Sequence, residues 1–201
     1  MNKEKFLKLS LISKGVIATC ALVGFLMEMF LHGWHSIRYY TNQSNLLVVI
    51  FLITLLLKYR KEGHWSQWDI RLKGGMTVAI LLTGLVYHFM LAPLKTPEEF
   101  WTIENFLVHY IVPYGALLDW ALFDKGHCYK WWDPFVWTIL PLAYAIISVA
   151  IALITRIPIG NNPDVPFPYF FLNVDKYGIL GVIQYSLGLA AAFLVGSYVL
   201  V

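Results

Sequence analysis

The chain has 201 residues, of which 59% are hydrophobic and 13% charged, with a net charge of +3. Soluble domains carry about 25% charged residues, so a soluble or secreted domain is excluded and an all-α polytopic membrane protein is expected. The positive balance is not a nucleic-acid signal, because the Lys and Arg are sorted by loop.

A helix crossing the hydrocarbon needs about 20 apolar residues. Six stretches approach that, and together they leave no room for a separate soluble domain. The first span, 11–31, is preceded or opened by Lys3, Lys5, Lys8 and Lys14 and ends at Glu28, ahead of His32 and His35. Its charged start is like a signal peptide, but no small-residue cleavage site follows, so it is read as a retained helix. Cys20 lies within it and Cys128 in a later loop, so no disulfide is expected.

The second span is 43–57, lengthening to 40–57 if it begins at Tyr40. It opens on Thr41-Asn42-Gln43-Ser44-Asn45. Thr41, Ser44, Asn45 and Val48 follow an i, i+3, i+4, i+7 pattern and share a face. Thr41 alone is an ordinary N-cap, and Ser44 and Asn45 are ordinary interhelical hydrogen-bonding groups. A polar loop from Lys58 to Lys73 is expected next, with Trp65 and Trp68 as interfacial anchors. The third span, 75–93, carries Tyr87 and His88 near its far end.

The fourth span, 105–123, places Asn105 and His109 on one face, with His109 about 8 Å below the span's end at 1.5 Å per residue. Pro113 removes an N–H and clashes with the carbonyl four residues back, which is that of His109, so a kink is expected there. Asp119 lies deeper and needs a partner. The fifth span is 135–154. Segment 155–177 contains Pro163, Pro166 and Pro168, which forbid a regular helix, and aromatics including Tyr169 and Phe170. It is either a connector with headgroup anchors or a lid over an outward-facing site. The sixth span is 178–201.

Lys3, Lys5, Lys8, Lys14, Lys58, Arg60, Lys61, Arg71, Lys73, Lys125 and Lys130 fall at one end of this bundle. Arg38, Lys95, Arg156 and Lys176 fall at the other. Eleven against four makes the first end cytoplasmic and both termini with it. Four helices then bring polar groups to the outer leaflet, whereas the inner half contributes little beyond Asp119.

Intramembrane polar groups mark function by default. A Thr hydroxyl needs an adjacent base to act as a nucleophile, and histidine suits that task. The pattern points to Thr41 as nucleophile and His109 as general base. Asn42, Asn45 or a free N–H at the helix start would stabilise the oxyanion. Ser44, Tyr87, His88 and Asn105 would line the site, and Glu28 or His88 would orient the imidazole.

Tyr39-Tyr40-Thr41-Asn42-Gln43-Ser44-Asn45-Leu46-Leu47 resembles the T-x-x-S-N-x-L segment of bacterial six-helix homologues of the androgen-induced protein family. His109-Tyr110-Ile111-Val112-Pro113, followed by Asp119-Trp120, is similar to that family's second signature, and Pro168-Tyr169-Phe170-Phe171-Leu172-Asn173 to its aromatic outer-loop motif. The resemblance covers nearly the whole chain in length, span number and motif order. It implies a membrane threonine hydrolase of fatty acid esters of hydroxy fatty acids, with the family's threonine and histidine at Thr41 and His109. The animal members differ after the threonine, so it assigns no role to Asn42, Ser44 or Asn45. It places an acidic residue at Asp119 without explaining it. The expected partners are a lipid substrate and the bilayer, and no metal or cofactor is required.

Two other classes follow from the same residues. His88 and His109 on adjacent spans are the groups a haem or divalent ion would use. A small transporter would need a polar path through the inner half, for which Asp119 is the starting point.

Overall fold

The computed structural model describes residues 2–124, 128–159 and 165–201. Lys125 and Pro163 lie outside them. The described residues are helical, and six helices are long and apolar enough to cross a membrane. They are α1 (Lys3–His32), α2 (Tyr40–Glu62), α3 (Gln67–Leu94), α4 (Ile103–Phe123), α5 (Asp133–Thr155) and α6 (Val174–Tyr198).

The helices outrun the apolar spans because local signals extend them. The Asn2 side chain accepts from the Glu4 N–H and starts α1 well before the apolar run. Gly33, at φ +79°, ends it in a conformation that disfavours other residues. The expected loop from Lys58 to Lys73 shrinks to 63–66. Gly63 caps α2 in the left-handed region, and a Ser66–Asp69 capping box starts α3. Trp65 is half-buried and donates to the Leu55 carbonyl at 2.9 Å; Trp68 is exposed.

Helices α1 to α4 surround one apolar core that includes Ile17, Ala21, Val48, Leu52, Ile80 and Val112. Helices α5 and α6 pair with each other and lie against α3. The bundle therefore has a site end, where α1, α3 and α5 finish and α2, α4 and α6 begin, and an opposite end.

The opposite end is not polar-poor, which corrects the sequence reading. Lys14 Nζ lies 3.1 Å from Asp119 Oδ2 and 2.8 Å from Ser10 Oγ. Lys73 also pairs with Asp119 and reaches Asp124 Oδ1 at 2.7 Å. Both lysines, counted above among the charges at the cytoplasmic end, are buried in the bundle. Nearby, Arg71 grips Asp133 bidentately, with Nε 2.8 Å from Oδ2. A buried charge is tolerated only when paired, and these pairs tie α1 to α4, α3 to α4 and α3 to α5.

Candidate active site

Thr41 sits in the first turn of α2, after an extended Tyr39 that caps the helix without a side-chain bond. The Thr41 hydroxyl is thus not spent on capping, as its sequence position suggested. The shared face of α2 is buried: Ser44 Oγ donates to the Thr41 carbonyl at 3.1 Å, so Thr83 supplies the proton of the 2.8 Å Ser44–Thr83 contact. Asn45 Nδ2 donates to the Thr41 carbonyl at 2.8 Å and to that of Val108 at 3.2 Å. These bonds pin the Thr41 backbone and join α2 to α3 and α4.

Helix α4 widens into a π turn over Leu107–Ile111 just before Pro113, a device frequent at functional sites. The irregularity expected from the proline therefore appears as an extra residue in the turn that carries His109. The His109 carbonyl lies against Gly84, where a Cβ would stand 2.8 Å from it, so α3 and α4 meet this closely only because residue 84 has no side chain.

His109 Nε2 lies 3.2 Å from Thr41 Oγ1. His109 Nδ1 lies 2.9 Å from Asn105 Oδ1 and 3.2 Å from the Asn105 carbonyl. The Asn105 amide is oriented by its own donation from Nδ2 to the Phe100 carbonyl at 2.8 Å, so Oδ1 faces the ring. Facing two acceptors, Nδ1 carries the proton and Nε2 presents its lone pair to the threonine. Asn105 thus occupies the orienting position that the sequence reading gave to Glu28 or His88. Tyr87, on a π turn of α3 (Tyr87–Leu91), stacks on the imidazole with centroids 3.8 Å apart. Thr41, Tyr87 and His109 are all buried.

The remaining candidates spread out. His88 is exposed and its Nδ1 lies 3.2 Å from the Tyr110 hydroxyl; it and His109 do not converge. Asn42 Nδ2 donates to the Ser36 carbonyl at 2.8 Å, so one donor of Asn42 and both of Asn45 are committed to backbone. Glu28 is half-buried near the end of α1, where its carbonyl faces Ser36 Oγ at 3.5 Å. Asp119 belongs to the ion cluster at the other end.

The proline-rich segment folds over the site. Arg38, read from sequence only as an outer-loop charge, donates from Nη1 to the Ile157 carbonyl at 2.8 Å and from Nη2 to that of Pro166 at 2.9 Å. Pro168 is buried and Phe170 packs edge-on against Tyr185. Tyr169 Oη accepts from the Thr41 N–H at 3.3 Å and lies 3.5 Å from Thr41 Oγ1. Burial pushes the Tyr169 phenol up to about 12, so at neutral pH it keeps a proton to donate. Beside Thr41 and Tyr169 opens a cavity of about 70 Å³ between α3, α5, α6 and this segment, walled mainly by apolar side chains such as Leu82, Val86 and Leu142.

Chemically, the arrangement holds a hydroxyl, a base with its Nε2 lone pair toward that hydroxyl, an acceptor that orients the base, and a protonated phenol, with Thr41 and Tyr169 lining an apolar cavity. No protein-family model, curated protein or solved structure matches this chain.

Proposed function

We propose that this chain is a multi-pass membrane hydrolase of lipid esters that uses Thr41 as nucleophile and His109 as general base. The 3.2 Å approach of Thr41 Oγ1 to His109 Nε2 carries the reading, because it lies within the range expected of a nucleophile–base pair. The resemblance of the Thr41, His109 and Tyr169 segments to the androgen-induced protein family supports the same assignment. It favours fatty acid esters of hydroxy fatty acids, or similar amphiphilic esters, as substrates.

Lys3, Lys5, Lys8, Lys58, Arg60 and Lys61 lie at the end opposite the site. By the positive-inside bias that end and both termini are cytoplasmic, and the site faces the extracytoplasmic leaflet of the cell membrane. An amphiphile then places its ester at the polar layer and its tails among the helices.

In the reaction, Thr41 Oγ1 bonds to the ester carbonyl carbon while its proton passes to His109 Nε2. The Tyr169 hydroxyl, 3.5 Å from Thr41 Oγ1, donates to the resulting oxyanion. Collapse breaks the bond to the leaving alkoxide, which takes the proton from His109 and departs as an alcohol. Water then attacks the acyl-threonine and gives a proton to His109, and collapse releases the fatty acid and restores the Thr41 hydroxyl. Every proton is accounted for by protein groups and water.

The test is hydrolysis of a fatty acid ester of a hydroxy fatty acid by purified protein in micelles. Thr41→Ala should lower the rate by at least about 10²-fold, on the scale of general-base and nucleophilic contributions, while the protein remains monodisperse. A wild-type rate in that variant overturns the assignment. The transport reading required Asp119 as the start of an open polar path, but that carboxylate is closed between two lysines.

A further inference from the structure

Among the residues lining the cavity beside Thr41, Ala190 lies farthest along α6 from the site end. Helix α6 is kinked at Gly178 (φ +66°) and regular beyond it, and Ala190 lies twelve residues past the kink, about 18 Å along the helix at 1.5 Å per residue. Helix α5 ends at Thr155, and Pro141 lies fourteen residues before it, about 21 Å from the same end. Both line the cavity, so it descends from the level of Thr41 to near the middle of the bundle, with Ala145 and Ala190 on walls contributed by α5 and α6.

Leu82, Val86 and Leu189 stand on its α3 and α6 side. The same three residues line a second, shallower apolar groove between α3 and α6, so they form a partition between the inner cavity and that groove. Thr83, one of the few polar groups on the wall, is already bonded to Ser44. A cavity walled this way suits a hydrocarbon chain better than a polar ligand.

Building on the hydrolase reading, we propose that this cavity binds the acyl chain transferred to Thr41. Ala190 at its far end and Leu189 in its partition set the longest acyl group accepted. A chain that ends within the cavity gains about fourfold in kcat/KM for each added methylene. One that exceeds it gains nothing further or is rejected. The hydroxy acid moiety, outside the cavity, is selected less by length.

The experiment measures kcat/KM for p-nitrophenyl esters of increasing acyl length, acetyl to palmitoyl, with purified wild type, Ala190→Phe and Leu189→Ala. Wild type should show a rising limb and a break. Ala190→Phe shortens the cavity and should move the break to shorter acyl groups, lowering the long-to-short ratio by at least about tenfold, equivalent to two methylenes at fourfold each. Leu189→Ala joins the cavity to the outer groove and should move the break to longer groups; it carries the test alone if the phenylalanine variant does not fold. Variants whose profiles keep the wild-type break, or that scale all esters by one factor, overturn this inference and leave the hydrolase reading standing. A wild type that cleaves none of the esters overturns both.

Discussion

Replacing Asp119 with leucine tests whether the buried charges at the end opposite the site are a structural lock. Asp119 serves two lysines, but Lys73 keeps Asp124 at 2.7 Å when Asp119 is gone. Lys14 does not fare so well. Among the described residues its ammonium retains as close partners Ser10 Oγ at 2.8 Å and the ring faces of Trp65 and Phe123 at 5.0 and 5.6 Å. Breaking a buried pair by removing one partner costs about 3–5 kcal/mol. With one lysine rescued, the lower end, about 3 kcal/mol, is expected. For a chain of this size that corresponds to a fall of roughly 6–12 °C in the unfolding midpoint. The double variant Lys14→Met/Asp119→Leu removes both charges, leaves the Lys73–Asp124 pair, and should return to within about 1 kcal/mol of wild type. The assay is heat-induced loss of the monodisperse peak in detergent. An Asp119→Leu midpoint equal to wild type, or a double variant as unstable as the single, refutes the lock.

At the site, Asn105→Leu removes the side-chain acceptor of His109 Nδ1, although the Asn105 carbonyl stays 3.2 Å away. An unpaired buried donor costs about 1–3 kcal/mol; with the second acceptor in place, kcat/KM should fall about tenfold, measured on the same ester as above. Tyr169→Phe removes a hydroxyl that lies 3.5 Å from Thr41 Oγ1. If that hydroxyl stabilises the oxyanion, kcat should fall about 10²–10³-fold with little change in KM, and an unchanged kcat would assign the phenol to packing alone.

The membrane-length helices were legible because long apolar runs separated by charge have few other solutions. The face of α2 was legible too: Thr41, Ser44, Asn45 and Val48 recur at helical spacing, and all four are buried. Asn105 and His109 shared a face by the same rule. What joins these faces was not legible. That Asn105 orients His109, rather than Glu28 or His88, depends on the π turn at Leu107–Ile111, and such a turn leaves no periodicity in the sequence. Thr41 read as an N-cap because five polar residues, Thr41 to Asn45, crowd the helix start, and only the backbone shows that Tyr39 holds that position. Lys73 read as a loop charge because α3 begins ahead of its apolar window, and Lys14, just inside the first span, was counted with the charges that flank it. A signal was present: Asp119 demanded a partner, and Lys14, four residues from Ser10 within a run that becomes apolar, was available to supply one.

The most direct measurement is the site of covalent capture. Purified protein is treated with an alkyl fluorophosphonate and the modified residue is located by peptide mass spectrometry. The account predicts a single adduct on Thr41 that is lost in Thr41→Ala and strongly slowed in His109→Phe. An adduct on another residue, or undiminished capture in either variant, contradicts it.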